Sequence, residues 1–509
     1  MNTIQTLPLE QQDSMISSQF NRASADQDIS SDDQALLLYS DSGSQTKRPT
    51  PLPKFQISVL LLSGLVEAVA SQYIYPFINQ SIRELDITRG DETKVGYYAG
   101  MIVSLFFATQ AMTTLQWSRA SDRVGRKPVL LLCIIGVSLS MLCFGLSRTF
   151  TTLVLSHCIT GAMNGSAGVM KSMLGELTDS TNRAKGFAWF PLACSLGTIL
   201  GPAIGGTLSW PQDNFPHLFT SPFWGEFPYF LPCSVAAGFS MLPFLAILLF
   251  LKETLPRGLT PAKATSPVER ETGHLEAGYG TVNRQQGPSM HTPVPLRQLL
   301  NASRVLCIAI YGVLATFDII LWALLPLFYS TPIEFGGLGF TPMIIGLCMS
   351  GFGAANGLVQ AFCFAPFVNR LGVKTLLRVC HACFIPIFGI MAMVSWLAKL
   401  WGISRVVWGL LAFQLLLTVV MDMSFTCILM YITAAAPNKH SLGALNGLAQ
   451  TTASVVRVIG PASAMSLFAY SIQHNFIAGY GAYFVIILAI IATTPLCAML
   501  PDNLTDTNH

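Results

Sequence analysis

The sequence is poor in charged residues. Only 11% of its 509 residues are Asp, Glu, Lys or Arg, whereas 52% are hydrophobic. A soluble domain carries about 25% charged residues, so the chain has too little polar surface for a water-soluble protein of this size. The formal net charge of +3 is too small to argue for a nucleic-acid partner. The composition therefore indicates a protein whose surroundings are membrane lipid.

The chain also lacks the signs of a disulfide framework or an enzyme active site. Its 12 cysteines lie almost all within apolar segments, where cysteine behaves as a small hydrophobic residue. Cys380-His381-Ala382-Cys383 has the spacing of a metal site, but no second pair of ligands accompanies it, so we expect packed side chains. We predict no metal, no other cofactor and, because no nucleophile–base pair is present, no enzyme.

Both ends of the chain are polar. Residues 1–54 are rich in Ser, Gln and Asp without an apolar period, which predicts a disordered cytoplasmic tail. They lack the basic start and apolar core of a cleavable signal peptide. Asp32-Asp33-Gln34-Ala35-Leu36-Leu37 resembles an acidic dileucine sorting signal, but so short a pattern arises more often by chance. Residues 501–509 form the second tail.

Apolar segments long enough to cross a bilayer, which takes about 20 residues, fill most of the remaining chain. Twelve of them are predicted, near 55–78, 95–116, 128–147, 151–173, 186–208, 228–251, 304–328, 343–365, 375–396, 403–434, 442–470 and 480–499. Residues 253–303 are polar and rich in Pro, Gly and Thr, which is typical of a linker. The linker separates a bundle of six helices in 55–252 from a second bundle in 304–500, and we expect an all-α membrane fold.

Basic residues predict the orientation of these segments. Positive charge beside a span marks the cytoplasmic side, and the loop 117–127 alone carries four cations. Three other loops hold no Lys or Arg: Trp210–Phe227, Tyr329–Pro342 and Ser471–Gly479. We therefore place both termini in the cytoplasm, together with Lys171 in a turn and the sequon at Asn301. The first outer loop is a local exception, with Arg83, Arg89 and Lys94.

The loop between the second and third segments has a degenerate copy later in the chain. Gly125 allows a tight turn, Asp122 can pair with the neighbouring cations or cap a helix, and Pro128 suits the first position of the next helix. Asn369-Arg370-Leu371-Gly372-Val373-Lys374 lines up with Asp122-Arg123-Val124-Gly125-Arg126-Lys127. One loop repeated at the same place in two halves predicts an internal duplication, as in many secondary transporters.

This loop carries a resemblance to a known family. Ser118-x-x-x-Asp122-Arg123-x-Gly125-Arg126-Lys127 resembles the loop signature of the major facilitator superfamily, with Ser118 where that family usually has glycine. The resemblance covers about residues 55–500 and implies twelve transmembrane helices in two pseudo-symmetric six-helix bundles. It also implies that the first, fourth, seventh and tenth helices line a central cavity.

The fifth segment adds a second motif. Gly197, Gly201 and Gly205 recur every four residues on one face, which lets a neighbouring helix approach closely, and Pro202 bends the helix. Gly-Pro-x-x-Gly-Gly, which ends at Gly206, is similar to the antiporter motif of the twelve-helix drug:proton antiporter branch. The stretch 326–340 is similar to fungal relatives of plant zinc-induced facilitator-like transporters. It suggests a fungal source without implying zinc as substrate.

Four ionisable residues lie within predicted spans: Glu67, His157, Asp318 and Asp422. A charge facing lipid costs at least about 2.5–3.5 kcal/mol, so these side chains are expected to face a cavity or a partner. We predict that the three carboxyl groups bind protons or a cationic substrate; a structural hydrogen-bonding role is the alternative, equally favoured for Asp422. His157 stands where the resembled family usually has an arginine associated with proton coupling. It can titrate near pH 6.5 or stay neutral and hydrogen-bonded.

Other polar residues lie within the spans. Gln72, Asn356 and Gln360 can bind substrate or join helices, and the sequence leaves both interpretations open. Arg457 precedes Gly460-Pro461 in the eleventh segment, which echoes the fifth-segment motif. We expect Arg457 to act mainly as a partner that stabilises helix packing.

These features predict a secondary transporter whose central site opens alternately to each side of the membrane. The expected activity is export of a small organic molecule, such as a drug, toxin or secondary metabolite, by proton antiport. Proton-coupled uptake or uniport of a nutrient is one alternative, which the Gly-Pro-x-x-Gly-Gly motif disfavours. A non-transporting membrane sensor is another, which the intact cavity carboxyl groups disfavour. We expect a monomer in the plasma membrane, with the vacuolar membrane as second choice.

Overall fold

The computed structural model describes residues 50–85, 87–179, 182, 186, 189–255, 301–435 and 442–502. Within these ranges every regular element is a helix. The helices belong to the unit Leu52–His509; of the separate unit Met1–Pro51, only the last two residues are described. The dileucine-like stretch, most of the linker, and residues 503–509 lie outside the described residues.

The first six membrane segments follow the predicted order. They are α1 (Lys54–Gln72), α2 (Val95–Val124), α3 (Arg126–Gly145), α4 (Phe150–Met163 continued by Ala167–Glu176), α5 (Phe190–Thr207) and α6 (Phe230–Phe250). The last six are α7 (Ala302–Ser330), α8 (Pro342–Leu371), α9 (Val373–Ala382 continued by Phe384–Trp401), α10 (Arg405–Ala434), α11 (Leu442–Gln473) and α12 (Gly481–Ala498). Ten of these segments are long and apolar enough to span a membrane by length and composition; the other two are α4 and α5.

Several predicted boundaries differ from the observed ones. α1 ends at Gln72 and not near residue 78, because Pro76 cannot donate a backbone hydrogen bond; a turn leads into the short helix Ile78–Glu84. α3 begins at Arg126, so Pro128 is its third residue and not its first.

The fourth segment is broken where a continuous helix was predicted. A 3-10 turn at Asn164–Ser166 interrupts it, and the side-chain amide of Gln110 donates to the carbonyl of Asn164 at 3.1 Å. Gly165 lies in this turn, where glycine weakens a helix. The continuation runs to Glu176, so Lys171 lies on a helix and the prediction that placed it in a turn is wrong.

The glycines of α5 lie against two other helices. A Cβ atom at Gly205 would overlap the carbonyl oxygen of Tyr73, and one at Gly197 would overlap the side chain of Ala68. A Cβ atom at Gly206 would lie 2.7 Å from the Cα atom of Gly346 in α8. α5 therefore packs tightly on α1 within the first six helices and on α8 across the gap to the last six.

Contacts between the first six and the last six helices are concentrated at one end. Three hydrogen bonds join the two sets in the described residues: Ser104–Ala462, Ile199–Ser350 and Tyr97–Gln473. All lie between the middle of the helices and the end predicted to face outward. Toward the other end, α2 exposes Met112 and Leu115, and no hydrogen bond joins the two sets of helices among the described residues there. The cleft between the two sets of helices is thus bridged mainly in its predicted outer half.

Candidate functional site

Glu67 projects from α1 beside a polar group of α2. The amide of Gln110 lies 3.5 Å from a carboxylate oxygen of Glu67 and also donates to the carbonyl of Asn164. It therefore connects Glu67 to the break in α4. Two cations act on Glu67 electrostatically, Lys171 from α4 and Arg457 from α11. The carboxyl group of Glu67 thus faces charged and polar partners, as an ionisable group within a membrane requires.

Asp318 and Asp422 form a pair within the last six helices. Asp318 projects from α7, and the indole of Trp322, one turn later on the same helix, is a polar group beside it. Asp422 projects from α10 and accepts a hydrogen bond of 2.7 Å from the side-chain amide of Asn356 in α8. The two carboxyl groups lie close enough to interact electrostatically. Asn356 thereby joins α8 to the carboxyl group of Asp422 in α10.

Arg457 is the one cation shown to act on carboxyl groups in both sets of described helices. It acts electrostatically on Glu67 in the first six helices and on Asp318 in the last six. Within the described residues it makes no ion pair shorter than 4.0 Å, and its side chain is half-exposed. Its guanidinium group is thus available to the cleft. The charges of Arg457 and Asp318 both act on Tyr75 and Tyr311. Aromatic side chains therefore lie near the guanidinium group.

We call Glu67, Asp318, Asp422 and Arg457 the carboxyl–arginine cluster. Gln72 makes no hydrogen bond to this cluster among the described residues. Its side chain packs beside Gly201, and its amide oxygen is buried without a partner in the same part of the chain. Gln360, half-buried on α8, likewise makes no side-chain hydrogen bond within the described part of the chain.

His157 lies apart from this cluster. Its ring is only 3% exposed and stacks on Phe106 at 4.9 Å between centroids, with Phe144 at 5.6 Å in an edge contact. Its Nδ1 atom has no hydrogen-bond partner in the described residues. The structure thus packs the ring of His157 against two aromatic side chains, apart from the three carboxyl groups.

The loop between α2 and α3 forms a polar network around Arg126, which is 8% exposed. The guanidinium group pairs with Asp122 at 2.6 Å and with Glu176 of α4 at 3.0 Å, and it donates to the hydroxyl of Ser121 at 2.6 Å. Gly125 has φ of 116°, which only glycine adopts readily. Of the neighbouring motif residues, Ser118 is half-buried, whereas Arg123 is exposed.

Glu253, just after α6, caps the start of α3. Four backbone N–H groups donate to its carboxylate, those of Arg126, Lys127, Thr254 and Leu255. Burial raises the pKa of Glu253, but these four bonds outweigh the burial and hold the pKa below its usual value. Asp122 pairs with Arg126, which is one of its two expected roles. The start of α3 is capped by Glu253 and not by Asp122.

The degenerate copy of the loop is simpler. Gly372 again has a positive φ, 77°, and Lys374 pairs with Asp502 at 2.9 Å. Arg370 is exposed. The tight turn is thus repeated in both loops, but the network around Arg126 has no equivalent among the described residues of the second.

Sequence reasoning missed three contributors to these sites: Gln110, Lys171 and Glu253. Gln110 is a polar residue within an apolar span, the same signal that singled out Gln72. Lys171 falls near the end of the predicted span 151–173 and was assigned to the turn after it, whereas the helix runs on to Glu176. In the described residues no three His, Cys, Asp or Glu side chains are grouped to hold a metal, and His381 is buried beside Thr493.

Comparison with known proteins agrees with this architecture. The family model of the Major Facilitator Superfamily matches residues 60–461. The major facilitator-type transporter psiT2 of Psilocybe cyanescens is 31% identical over 466 residues, 85% of this chain and 87% of psiT2. The efflux pump azaK of Aspergillus niger is 32% identical over 421 residues and 82% of each chain. The protein ZINC INDUCED FACILITATOR 1 of Arabidopsis thaliana is 27% identical over 82% of this chain and 85% of its own.

Solved structures show the same fold. The D-xylose-proton symporter aligns with a TM-score of 0.63 over 89% of this chain and 99% of its own, at 15% identity. These matches confirm the predicted all-α fold and the resemblance to the superfamily. The matched proteins are transporters, which confirms the prediction that the chain is not an enzyme. The chain is a multi-pass membrane transporter that belongs to the major facilitator superfamily.

Proposed function

We propose that this transporter exports a small organic molecule in exchange for protons. The observation that carries the proposal is the carboxyl–arginine cluster, in which Arg457 acts on Glu67 from the first six helices and on Asp318 from the last six, and Asp318 interacts in turn with Asp422. Because the bridging contacts lie toward the predicted outer end, we take the cleft to open toward the predicted cytoplasmic end. Export requires that a substrate enter from that side and meet groups that also bind protons.

The cluster supplies a chemical basis for exchange. Each carboxylate can hold either a proton or a cationic or hydrogen-bonding group of a substrate, and the two compete for the same oxygen atoms. Asn356 donates a hydrogen bond to Asp422, and the indole of Trp322 lies beside Asp318. The two carboxyl groups are therefore positioned before a ligand arrives. A substrate that enters displaces the proton, and a proton that returns displaces the substrate.

The helix contacts supply a basis for alternating access. In the observed state α5 packs on α8 through Gly206 and Gly346, and α2 packs on α11 through Gly100 and Ala462. These contacts close one end. Arg126, Asp122 and Glu176 lie at the opposite end, where their network already holds the loops of the first six helices together in the observed state; the helix contacts at the closed end are the ones that alternating access must break. Contacts that exist in one state only bias the equilibrium between the two states.

The names of relatives support efflux. Matched proteins are called an efflux pump, a multidrug transporter and a tetracycline resistance protein, and several come from fungi. We propose a fungal source, a monomer, cytoplasmic termini and the plasma membrane, with the vacuolar membrane second. The division into bundles 55–252 and 304–500 is part of this proposal.

Transport by purified protein in liposomes tests the proposal directly. A fluorescent organic substrate such as tetracycline or ethidium is loaded, a pH gradient is imposed, and the movement of both substrate and protons is followed. Substrate movement that drives protons in the opposite direction supports antiport. Movement of both in the same direction indicates symport, and substrate flux that ignores the pH gradient indicates uniport; either result contradicts the proposal.

A further inference from the structure

A small cavity lies among the last six helices at the predicted outer end. It has a volume of about 130 Å³ and lies between the end of α9, the turn before α8, and the junction of α11 with α12. Its polar lining residues are Glu334, Ser395, Lys399, Asn475, Tyr480 and Tyr483. We call it the Lys399 pocket. None of its lining residues belongs to the carboxyl–arginine cluster, so the proposed exchange mechanism leaves the pocket unexplained.

Two buried hydroxyl groups at this pocket have no hydrogen-bond partner among the described residues. Ser395 is 0% exposed and Tyr483 is 2% exposed, and the oxygen atoms of both are unpaired. Most buried polar groups in proteins are hydrogen-bonded, because an unpaired one is costly. The hydroxyl proton of each residue can turn to meet an acceptor placed in the pocket.

Gly336 shapes the wall where these groups converge. A Cβ atom at this position would lie 3.2 Å from Ser395 Oγ and 3.8 Å from Lys399 Nζ. The hydroxyl and the ammonium group therefore approach the same point from α9, where residues four apart share a face. Because φ of Gly336 is +88°, a side chain there would be both strained and in the way of this approach.

The charges at the pocket favour a negative ligand. Lys399 Nζ lies 5.8 Å from the centroid of the Tyr480 ring and makes no ion pair within the described residues. Lys399 and Glu334 are both exposed, and the ammonium group and the hydroxyls of Ser395 and Tyr483 are hydrogen-bond donors. Three donors around one small volume match an oxyanion, whose oxygen atoms are acceptors only. The volume of about 130 Å³ also leaves room for water, each molecule of which occupies about 30 Å³.

We propose that the Lys399 pocket binds a phosphate-type oxyanion, either free in solution or carried by a phospholipid head group at the membrane surface. Lys399 supplies the charge, and Ser395 and Tyr483 supply hydrogen bonds. Glu334 contributes repulsion, so its removal strengthens binding. The site is a peripheral ligand site of the last six helices, distinct from the path of the exported molecule.

Thermal unfolding of the full-length protein in phosphatidylcholine nanodiscs tests the proposal in two arms. The first arm compares inorganic phosphate with chloride at equal ionic strength. The second arm omits phosphate and compares nanodiscs with and without phosphatidic acid, and native mass spectrometry counts the retained lipid. Stabilisation in the first arm alone identifies the free anion as ligand, and stabilisation in the second alone identifies the lipid head group.

Four variants give the expected pattern. Lys399→Gln and Ser395→Ala are expected to weaken apparent affinity by at least about tenfold, whereas Lys399→Arg retains it and Glu334→Gln strengthens it. Unliganded melting temperatures equal to that of the wild type show that the variants are folded. If Lys399→Gln does not fold, Ser395→Ala alone decides. Absence of stabilisation in both arms, or stabilisation that Ser395→Ala leaves unchanged, overturns the proposal. Neither result bears on proton antiport, which is measured separately.

Discussion

The carboxylate of Glu253 accepts a hydrogen bond of 3.0 Å from the backbone N–H of Arg126, 127 positions earlier in the chain. The side chain of the same Arg126 pairs with Asp122 and Glu176. One residue thus connects the start of α3 to the ends of α2, α4 and α6. This connection holds the predicted cytoplasmic ends of the first six helices together even while the cleft is open.

Glu253→Gln is expected to destabilise this end of the protein. Hydrogen bonds to a charged group contribute about 1.5–3 kcal/mol, so the melting temperature should fall by several degrees. Glu334→Gln removes a carboxylate that is exposed and makes no ion pair in the described residues, and it should leave the melting temperature unchanged in phosphate-free buffer. Equal melting temperatures for wild type and Glu253→Gln would contradict the capping role.

The pH dependence follows from the lowered pKa of Glu253. A carboxyl group whose pKa is lower in the folded state stabilises the fold fully above its unfolded pKa, about 4.3. The contribution is lost as the pH falls through the folded value. The difference in melting temperature between wild type and Glu253→Gln should therefore be large at neutral pH and shrink below about pH 4.

Much of this architecture follows from the sequence, because its signals are local. Twelve apolar runs predict twelve segments, and Glu67, Asp318 and Asp422 are recognisable as ionisable residues within them. The role of Glu253 depends on a contact across 127 positions, which no local pattern encodes. The break in α4 was missed because Asn164 and Gly165 lie in an otherwise apolar run, and its position depends on Gln110 of another helix.

Gly205→Ala is expected to disturb the contact between α5 and α1. The added methyl group would overlap the carbonyl oxygen of Tyr73, and such overpacking costs about 1–3 kcal/mol. Gly238→Ala in α6 is the matched control, because a Cβ atom at Gly238 meets nothing within 4 Å. Melting temperature and transport rate should fall for Gly205→Ala only. Equal behaviour of the two variants would show that close packing at Gly205 is unimportant.

Asn301 tests the orientation of the chain. Asn301-Ala302-Ser303 is a sequon that precedes α7 at the predicted cytoplasmic end, so it should carry no glycan. Leu218→Asn places a new sequon before Phe219-Thr220 in the predicted outer loop, where Leu218 is 77% exposed, and this variant should be glycosylated. A shift in gel mobility after treatment with an N-glycosidase reports both. A glycan on Asn301 would reverse the predicted orientation.

Asp318→Asn is expected to abolish proton-coupled flux while the protein still reaches the membrane. The amide keeps the shape of the side chain but cannot release a proton, so exchange at this site stops. Asp213→Asn, the same change at an exposed position of an outer loop, should transport normally. Unchanged coupled flux in Asp318→Asn would remove Asp318 from the mechanism.

Arg457→Gln tests whether the charge of Arg457 couples proton binding to the movement of the two sets of helices. Arg457 lies on α11 with Asp318 as its neighbour in the last six helices, and Glu67 faces it from the first six. When the helices rock, the separation of Arg457 and Glu67 changes more than that of Arg457 and Asp318, because α7 and α11 pack together through Ile319 and Gly460. Loss of the charge should therefore reduce coupling between proton binding and cleft opening on the order of tenfold.

Arg457→Lys should restore part of this coupling, since a charge remains, and Arg370→Gln at an exposed position should have no effect. The measurement is the pH dependence of substrate exchange against that of net transport. A variant Arg457→Gln with the wild-type pH profile in both assays would show that Arg457 serves helix packing alone.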